Sequence, residues 1–477
     1  MRIPLRPSRL ILALLAVPAL AAAGEAVSPQ PTTAQAQMET RDERRPDQPI
    51  TLDIGGHPVE VGGSWEFTSE WRDNFDLNDA RERDRIVREH EVQLEARTRF
   101  GDRTELFMQL VGLRDVRRTQ GTPGTEVDHS MERGPMWLQR ERLWDTPWQF
   151  QVGRITLLDR RAWWWDEDLD GLRLRYPGKT WQLDTGLVHE TARKSSAGHG
   201  VEPDTNGVTR WFGQASWRWA KRHSVDAFWM VQRDGSSRPE PGDVYHDEDR
   251  TDPSDLDAQW FGLRASGDWR GKGAVDRVLY WADVAAFRGR EQVTGFEERD
   301  DGRMVAGSTR TRRLHGHALD FGASAVFDLP LQPLLTFAYA RGSEQFRQTG
   351  LQENKNRFAG VKRWQRYGEL LQPELSNVEV LTAGTGLRFG QKSSLELLVH
   401  HYRQVRPSST LLGSRLSTDP AGSGRSLGRE IDVLLAIRES RRVEFVLKYA
   451  HFRPGSAFAP NRRDPASSIE LGMTVNF

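Results

Sequence analysis

The sequence predicts an all-β fold, an 18-stranded antiparallel transmembrane β-barrel of the outer membrane. Three observations predict it. Apolar and polar residues alternate with period two in segment after segment, short turns alternate strictly with long polar loops, and the final alternating run ends on Phe477. A transmembrane strand needs only ~9–11 residues with every second one apolar, so each segment is a weak signal and the repetition carries the argument.

The composition allows this fold and excludes others. The chain has 477 residues, 67 Lys+Arg against 67 Asp+Glu, no cysteine and a mean hydropathy of −0.66. Without cysteine there are no disulfides, no thiolate metal site and no Cys nucleophile. The balanced charge speaks against a nucleic-acid partner, which calls for a basic excess. The low hydropathy excludes a bundle of membrane helices, each of which needs ~20 mostly apolar residues. A barrel tolerates it, because inter-strand hydrogen bonds satisfy the backbone and the inward half of each strand can stay polar.

From the N-terminus, Arg2, Arg6 and Arg9 precede the apolar run Leu10–Leu20, and Ala21-Ala22-Ala23 offers a small-residue cleavage site. Residues 1–23 therefore read as a secretory signal peptide. Its removal takes away three Arg and no acid, leaving a net charge of −3. Residues 24–50, rich in Pro, Gln, Thr and charge, read as a disordered periplasmic leader, and 51–477 as the barrel. Alternation is plain in 59–71, where Val59, Val61, Trp65, Phe67 and Trp71 oppose Glu60, Ser64, Glu66 and Glu70. It recurs in 90–100, 210–219 and 443–451. In the closing run, Ile469, Leu471, Met473, Val475 and Phe477 form one face. Such a terminal strand resembles the signal by which outer-membrane barrels are recognised for insertion.

The connections form a second pattern. Short turns are predicted near 101–102, 145–147, 177–179, 220–222, 271–273, 328–330, 390–392 and 439–441. Long loops are predicted near 72–86, 115–135, 157–167, 192–207, 234–257, 289–313, 343–374, 404–427 and 454–466. Eight turns and nine loops join 18 strands. In bacterial barrels the long loops lie outside the cell and the short turns in the periplasm. The 17 Trp are expected near strand ends, where an interfacial girdle wants an apolar ring with a wet N–H. Eighteen strands give a porin-sized barrel.

Inward parity places Arg97, Arg99, Arg210, Arg218, Arg264, Arg388 and Lys448 in the lumen. Cationic linings select anions, and the Arg fork matches carboxylate where Lys offers a point charge. Glu60, Glu66, Glu70, Glu89, Glu91 and Glu95 share that parity, so composition alone does not decide selectivity.

Longer motifs go further. Gln139-Arg140-Glu141-Arg142-Leu143-Trp144, Val152-Gly153-Arg154 and Trp164-Trp165-Asp166-Glu167-Asp168-Leu169-Asp170-Gly171 resemble the alginate-export porins of pseudomonads. So do Glu344 to Leu351, Arg366-Tyr367-Gly368-Glu369, Glu374-Leu375-Ser376-Asn377 and Phe452-Arg453-Pro454-Gly455. The resemblance implies an 18-stranded outer-membrane barrel passively exporting an anionic polysaccharide through an arginine-rich constriction. By position it places pore or substrate-binding roles on Arg140, Glu141, Arg154, Asp166, Asp168, Lys355, Arg363 and Lys448, to which parity adds Arg97. Arg154 shares a face with Phe150 and Val152, so a bulge or strand end must re-aim it. Three family cations are here Thr156, Val446 and Glu60, and the family's long plugging turn before the penultimate strand is the short run Glu439–Arg442.

The expected partners are the polysaccharide, outer-membrane lipid and lipopolysaccharide, the barrel-assembly machinery and periplasmic export proteins, with no nucleic acid, and the barrel is expected to be a monomer. A general or small-anion porin is the first rival reading. An outer-membrane enzyme is the second, but His189, His400, His401 and His451 stand in no nucleophile or metal-ligand motif. No cofactor is expected, beyond a Ca²⁺ that Asp166, Glu167 and Asp168 would bind if they converge.

Overall fold

A computed structural model describes residues 50–477 except 81–82, 199, 203–204, 237–238, 246–253, 300–302 and 441. Residues 1–23, expected to be a signal peptide, and all but residue 50 of the expected leader lie outside the described residues. The wall of the molecule is a closed antiparallel barrel of 18 strands. In chain order they are β1 His57–Asp73, β2 Arg85–Phe100, β3 Thr104–Thr119, β4 Glu126–Arg140, β5 Gln149–Leu158 and β6 Asp166–Pro177. Then come β7 Trp181–His189, β8 Val208–Ala220, β9 His223–Asp234, β10 Ser254–Arg270, β11 Val275–Glu298 and β12 Met304–Phe327. The last six are β13 Leu334–Gly342, β14 Val378–Phe389, β15 Ser393–Gln404, β16 Ser426–Ile437, β17 Val443–Pro454 and β18 Ala466–Asn476.

Each strand pairs with the next, and β1 pairs with β18 from Ser64↔Asn476 to Asp73↔Ser467, which removes both sheet edges. Phe477 completes the seam: its N–H donates to the Gly63 carbonyl at 3.0 Å and its carbonyl accepts the Gly63 N–H at 2.8 Å. A Cβ at Gly63 would lie 2.2 Å from the Gln93 carbonyl oxygen and 2.9 Å from the Phe477 ring, so the closure needs glycine there. A short strand, Ile50–Ile54, folds back on β1.

Period two sorts the side chains as the sequence predicts. Val92, Leu94, Phe261, Leu263, Phe337, Leu381, Phe445 and Leu471 are exposed around the outside as an apolar belt. All eight short turns fall where expected. Two of the nine loops are much shorter than expected. The connection predicted at 115–135 is only 120–125, and that at 289–313 is only 299–303. The strands flanking the second, β11 and β12, run 24 residues each. That exceeds the ~9–11 needed to span, so their upper parts stand in water on both faces, lose the alternation, and read as loop.

The Trp residues divide. Trp144, Trp181, Trp217, Trp219 and Trp269 are exposed near the short-turn end, as a girdle requires. Trp163, Trp164, Trp165, Trp260, Trp281 and Trp364 are buried. They belong to an apolar core inside the barrel, and two inward-folded loops build it.

Candidate functional site

The loop 343–377 leaves the long-loop end of β13, descends through the lumen and returns. It carries Phe346, Leu351, Phe358, Val361, Trp364, Tyr367, Leu370, Leu371 and Leu375, all buried. So much apolar surface cannot stay in water, and the lumen is the only place that covers it. On the way down, the Arg347 carbonyl accepts from Trp260 Nε1 at 2.8 Å, and the Leu351 carbonyl accepts the Asp166 N–H at 2.6 Å. At the tip, Ala359 packs on Val326 and Leu334, and the Val361 N–H donates to Ser394 Oγ at 3.1 Å. The Val361 carbonyl accepts from Arg438 at 3.3 Å, and Lys362 pairs with Glu444. Leu334, Ser394, Arg438 and Glu444 all flank short turns, so the loop reaches the periplasmic end. On the return, Trp364 Nε1 donates to Glu396 at 2.8 Å, and the N–H groups of Leu370 and Leu371 donate to Glu430 at 2.7 and 3.0 Å.

The shorter loop 159–165 locks onto it. Asp159 accepts the N–H groups of Trp163 and Trp164 at 3.0 and 3.1 Å and binds Arg264 through both carboxylate oxygens. Burial alone would raise the Asp159 carboxyl, but Arg264 and the N–H groups of Trp164 and Arg161 hold it below its ordinary value. Arg264 also binds Asp283 at 2.5 Å, Arg161 reaches Asp283 at 3.2 Å and Asp320 at 3.3 Å, and Arg366 pairs with Asp320. Arg161 lies 4.4 Å above the Trp281 ring, a cation–π contact. Tyr367 donates to Asp320 at 2.7 Å and accepts from Trp163 Nε1 at 2.9 Å. Burial, then the Asp320 carboxylate, push its phenol well above the usual range.

The residues expected to act in the pore fall in separate places. Arg154 is 2% exposed; its Nη1 binds Glu190 at 2.9 and 3.0 Å and lies 3.8 Å from Asp170. Gly153, at φ 123°, precedes it and redirects the strand. Asp166, Lys355 and Arg363 come together, with Arg363 donating to Asp166 at 3.1 Å and to the Lys355 carbonyl at 3.2 Å, while Lys355 pairs with Glu353 at 2.8 Å. Asp168 accepts from Thr156 Oγ1 at 2.5 Å. Lys448 bridges Glu470 at 2.9 Å and Glu369 at 3.3 Å. Arg97 pairs with Glu105 at 2.5 Å. Arg140 is exposed at the short-turn end on the face of Leu138, with Nη1 donating to Thr104 at 2.7 Å. Glu141 accepts from Gln139 at 3.3 Å.

Asp166, Glu167 and Asp168 turn to different partners, Arg363, Lys194 and Thr156. Among the described residues no group of three or more His, Asp or Glu is placed to hold a metal ion. His400 is buried, with Nδ1 2.9 Å from Thr382 and Nε2 3.3 Å from Asp432, and His451 contacts Ser467 at 2.9 Å.

Two recesses lined by charged side chains bear on the lumen. The first, about 250 Å³, runs along β1–β4 and is lined by Glu60, Glu91, Glu95, Glu132 and Asp168 with Arg97, Arg133 and Lys194. The second lies beneath the 159–165 loop. The loop narrows the path through the lumen.

A family model described as alginate export matches residues 57–470. The chain belongs to that family. The alginate production protein AlgE of Pseudomonas syringae pv. tomato is 23% identical over 66% of this chain and 68% of its own length. That of Pseudomonas aeruginosa is 24% identical over 71% and 73%. Among solved structures, the outer membrane protein opdK of Pseudomonas aeruginosa shares the fold at a TM-score of 0.51 and 11% identity, over 88% of this chain and 99% of the other. This alginate-export barrel is an integral protein of the outer membrane.

Within the family pattern, Thr156 donates to Asp168, Val446 packs in the core with Phe358 and Trp364, and Glu60 lines the first recess. The turn between β16 and β17 is short, and the lumen is filled by the loop between β13 and β14. Sequence parity did not reveal that plug, although its density of aromatic and aliphatic residues was visible.

Proposed function

We propose that this barrel passively exports an anionic uronate polysaccharide of the alginate type. The observation that carries the reading is the alginate-export match over 57–470 on a closed 18-strand wall. Export of a finished polymer changes no bond, and no chemistry is asked of the buried histidines. The driving force is the supply of polymer on the periplasmic side. The chain must slide past the lumen charges, and the interior loop must yield. We take the barrel to act as a monomer. We also assign insertion to the barrel-assembly machinery and delivery of polymer to periplasmic export proteins. Glu141, Arg154, Asp166, Asp168, Lys355, Arg363, Lys448 and Arg97 remain the positions by which the family resemblance and parity place substrate contacts, while Arg140, on the outward face of Leu138, rests on the resemblance alone. Most of these charges are paired at rest, so their exposure would follow plug movement.

Planar bilayers test the reading. Single channels should be blocked reversibly by oligouronates and much less by neutral malto-oligosaccharides of equal length. Equal block by both, or none by either, would leave a general porin.

A further inference from the structure

The cations placed in the pore by family position are largely committed. Glu190 and Asp170 hold Arg154, Asp166 holds Arg363, Glu353 holds Lys355, and Glu369 with Glu470 holds Lys448. A passing carboxylate would have to displace a partner from each, and for the buried Arg154–Glu190 pair that is costly.

Arg160 differs. It is exposed at the start of the 159–165 loop and lies in the field of Asp226, but among the described residues it is held by no close ion pair of the kind that fixes Arg154. Its backbone is anchored on both sides, because Asp159 is clamped by Arg264 and Arg161 by Asp283 and Asp320. Arg160 lines the second recess with Arg175, Lys179 and Arg218. The rim includes Pro177, Lys179 and Thr180 at the β6–β7 turn, so the recess belongs to the periplasmic half. Against Arg160, Arg175, Lys179, Arg218 and Arg264 the lining sets two carboxylates, Asp184 and Asp226, the second of which attracts Arg160. Arg173 binds Asp184, and Asp226 accepts from Gln214 and Ser224 at 3.4 Å. A cationic surplus therefore faces the compartment from which the polymer arrives.

We propose that this recess is an entry subsite that takes a carboxylate of the uronate polymer, with Arg160 as the receiving guanidinium. The inference rests on the export reading and deepens it. A uronate presents a carboxylate flanked by hydroxyls. The planar guanidinium donates two parallel hydrogen bonds to the carboxylate, and Gln214 and Ser216 in the same lining both donate and accept, as a hydroxyl requires. The recess holds about 60 Å³, room for a few waters or one carboxylate, so the sugar ring stays in the lumen. The subsite sits below the plug, and a polymer end would be captured there before the loop moves.

The experiment is block of single channels by trimannuronate added to one face at a time, with maltotriose as the neutral control. For Arg160→Gln the half-blocking concentration at the periplasmic face should rise about tenfold or more, the size expected for one lost charge-assisted hydrogen bond. Arg160→Lys should fall between. Block from the extracellular face should change less than about twofold. Heat-modifiable migration in gels confirms that each variant is folded. If Arg160→Gln does not fold, Lys179→Gln replaces it, with a smaller rise at the same face. If the parent channel is blocked and the variant is blocked equally at the periplasmic face, the subsite is overturned and the export reading stands. If trimannuronate blocks the parent from neither face, the export reading fails and the subsite with it.

Discussion

Gly153 shows how one residue sets the lumen. Strand parity assigns Arg154 to the face of Phe150 and Val152, yet its guanidinium sits with Glu190 and Asp170. The reconciling feature is a φ of 123° at Gly153, a conformation that side chains resist. A Cβ there would also stand 2.3 Å from the Met136 carbonyl oxygen. Gly153→Ala should therefore cost roughly 1–3 kcal/mol of barrel stability, read by urea unfolding in detergent micelles. Gly112→Ala is the matched control. Its added Cβ would meet nothing nearer than the Val92 carbonyl at 4.0 Å, and it should be near neutral. Equal effects of the two would remove Gly153 from this role. The sequence showed the glycine and the conflict of parity. It did not show which residue bends, because positive φ leaves no trace in hydrophobic period.

At the scale of elements, the strands and turns were legible and the plug was not. The eight turns were marked by Gly, Pro, Asp and Lys between alternating runs, and the wall followed from them. The ends of β3, β4, β11 and β12 were hidden because both their faces are wet. The sequence predicts the loop near 343–374 to be polar and external. Its apolar residues do not follow a fixed period, since an irregular segment touches several walls at once. Its ties are specific. Glu430 accepts two loop N–H groups, Glu396 accepts Trp364, and Asp320 gathers Arg366 and Tyr367. Replacing residues 345–375 by a short Gly/Ser linker should raise single-channel conductance several-fold, because conductance follows open cross-section and the wall itself is held by strand pairing. The partners left behind would be rehydrated in the opened lumen, so the cost of unpaired buried charge is relieved. Conductance equal to that of the parent channel would show that the loop does not obstruct the path.

The whole molecule inverts the usual arrangement of a soluble protein, and this explains a mean hydropathy of −0.66 in a membrane protein. Lipid contacts only a belt of alternate residues, while the lumen and the outer loops hold the charge. Adjacent residues of one strand therefore face opposite solvents. Leu94 is 54% exposed on the lipid side, and Gln93 lines the first recess between Glu91 and Glu95. Both lie near the middle of β2. Leu94→Arg should cost about 2–4 kcal/mol, the price of a cation near the bilayer midplane. Gln93→Arg enters water beside two carboxylates and should cost close to nothing. Urea unfolding in lipid vesicles, followed by Trp fluorescence, separates the two outcomes. In detergent micelles, where the head group has more room to reach water, the Leu94→Arg penalty should shrink while Gln93→Arg stays unchanged. A protein whose polar average came from a wet exterior rather than a wet lumen would give the opposite order, with Gln93→Arg the damaging change.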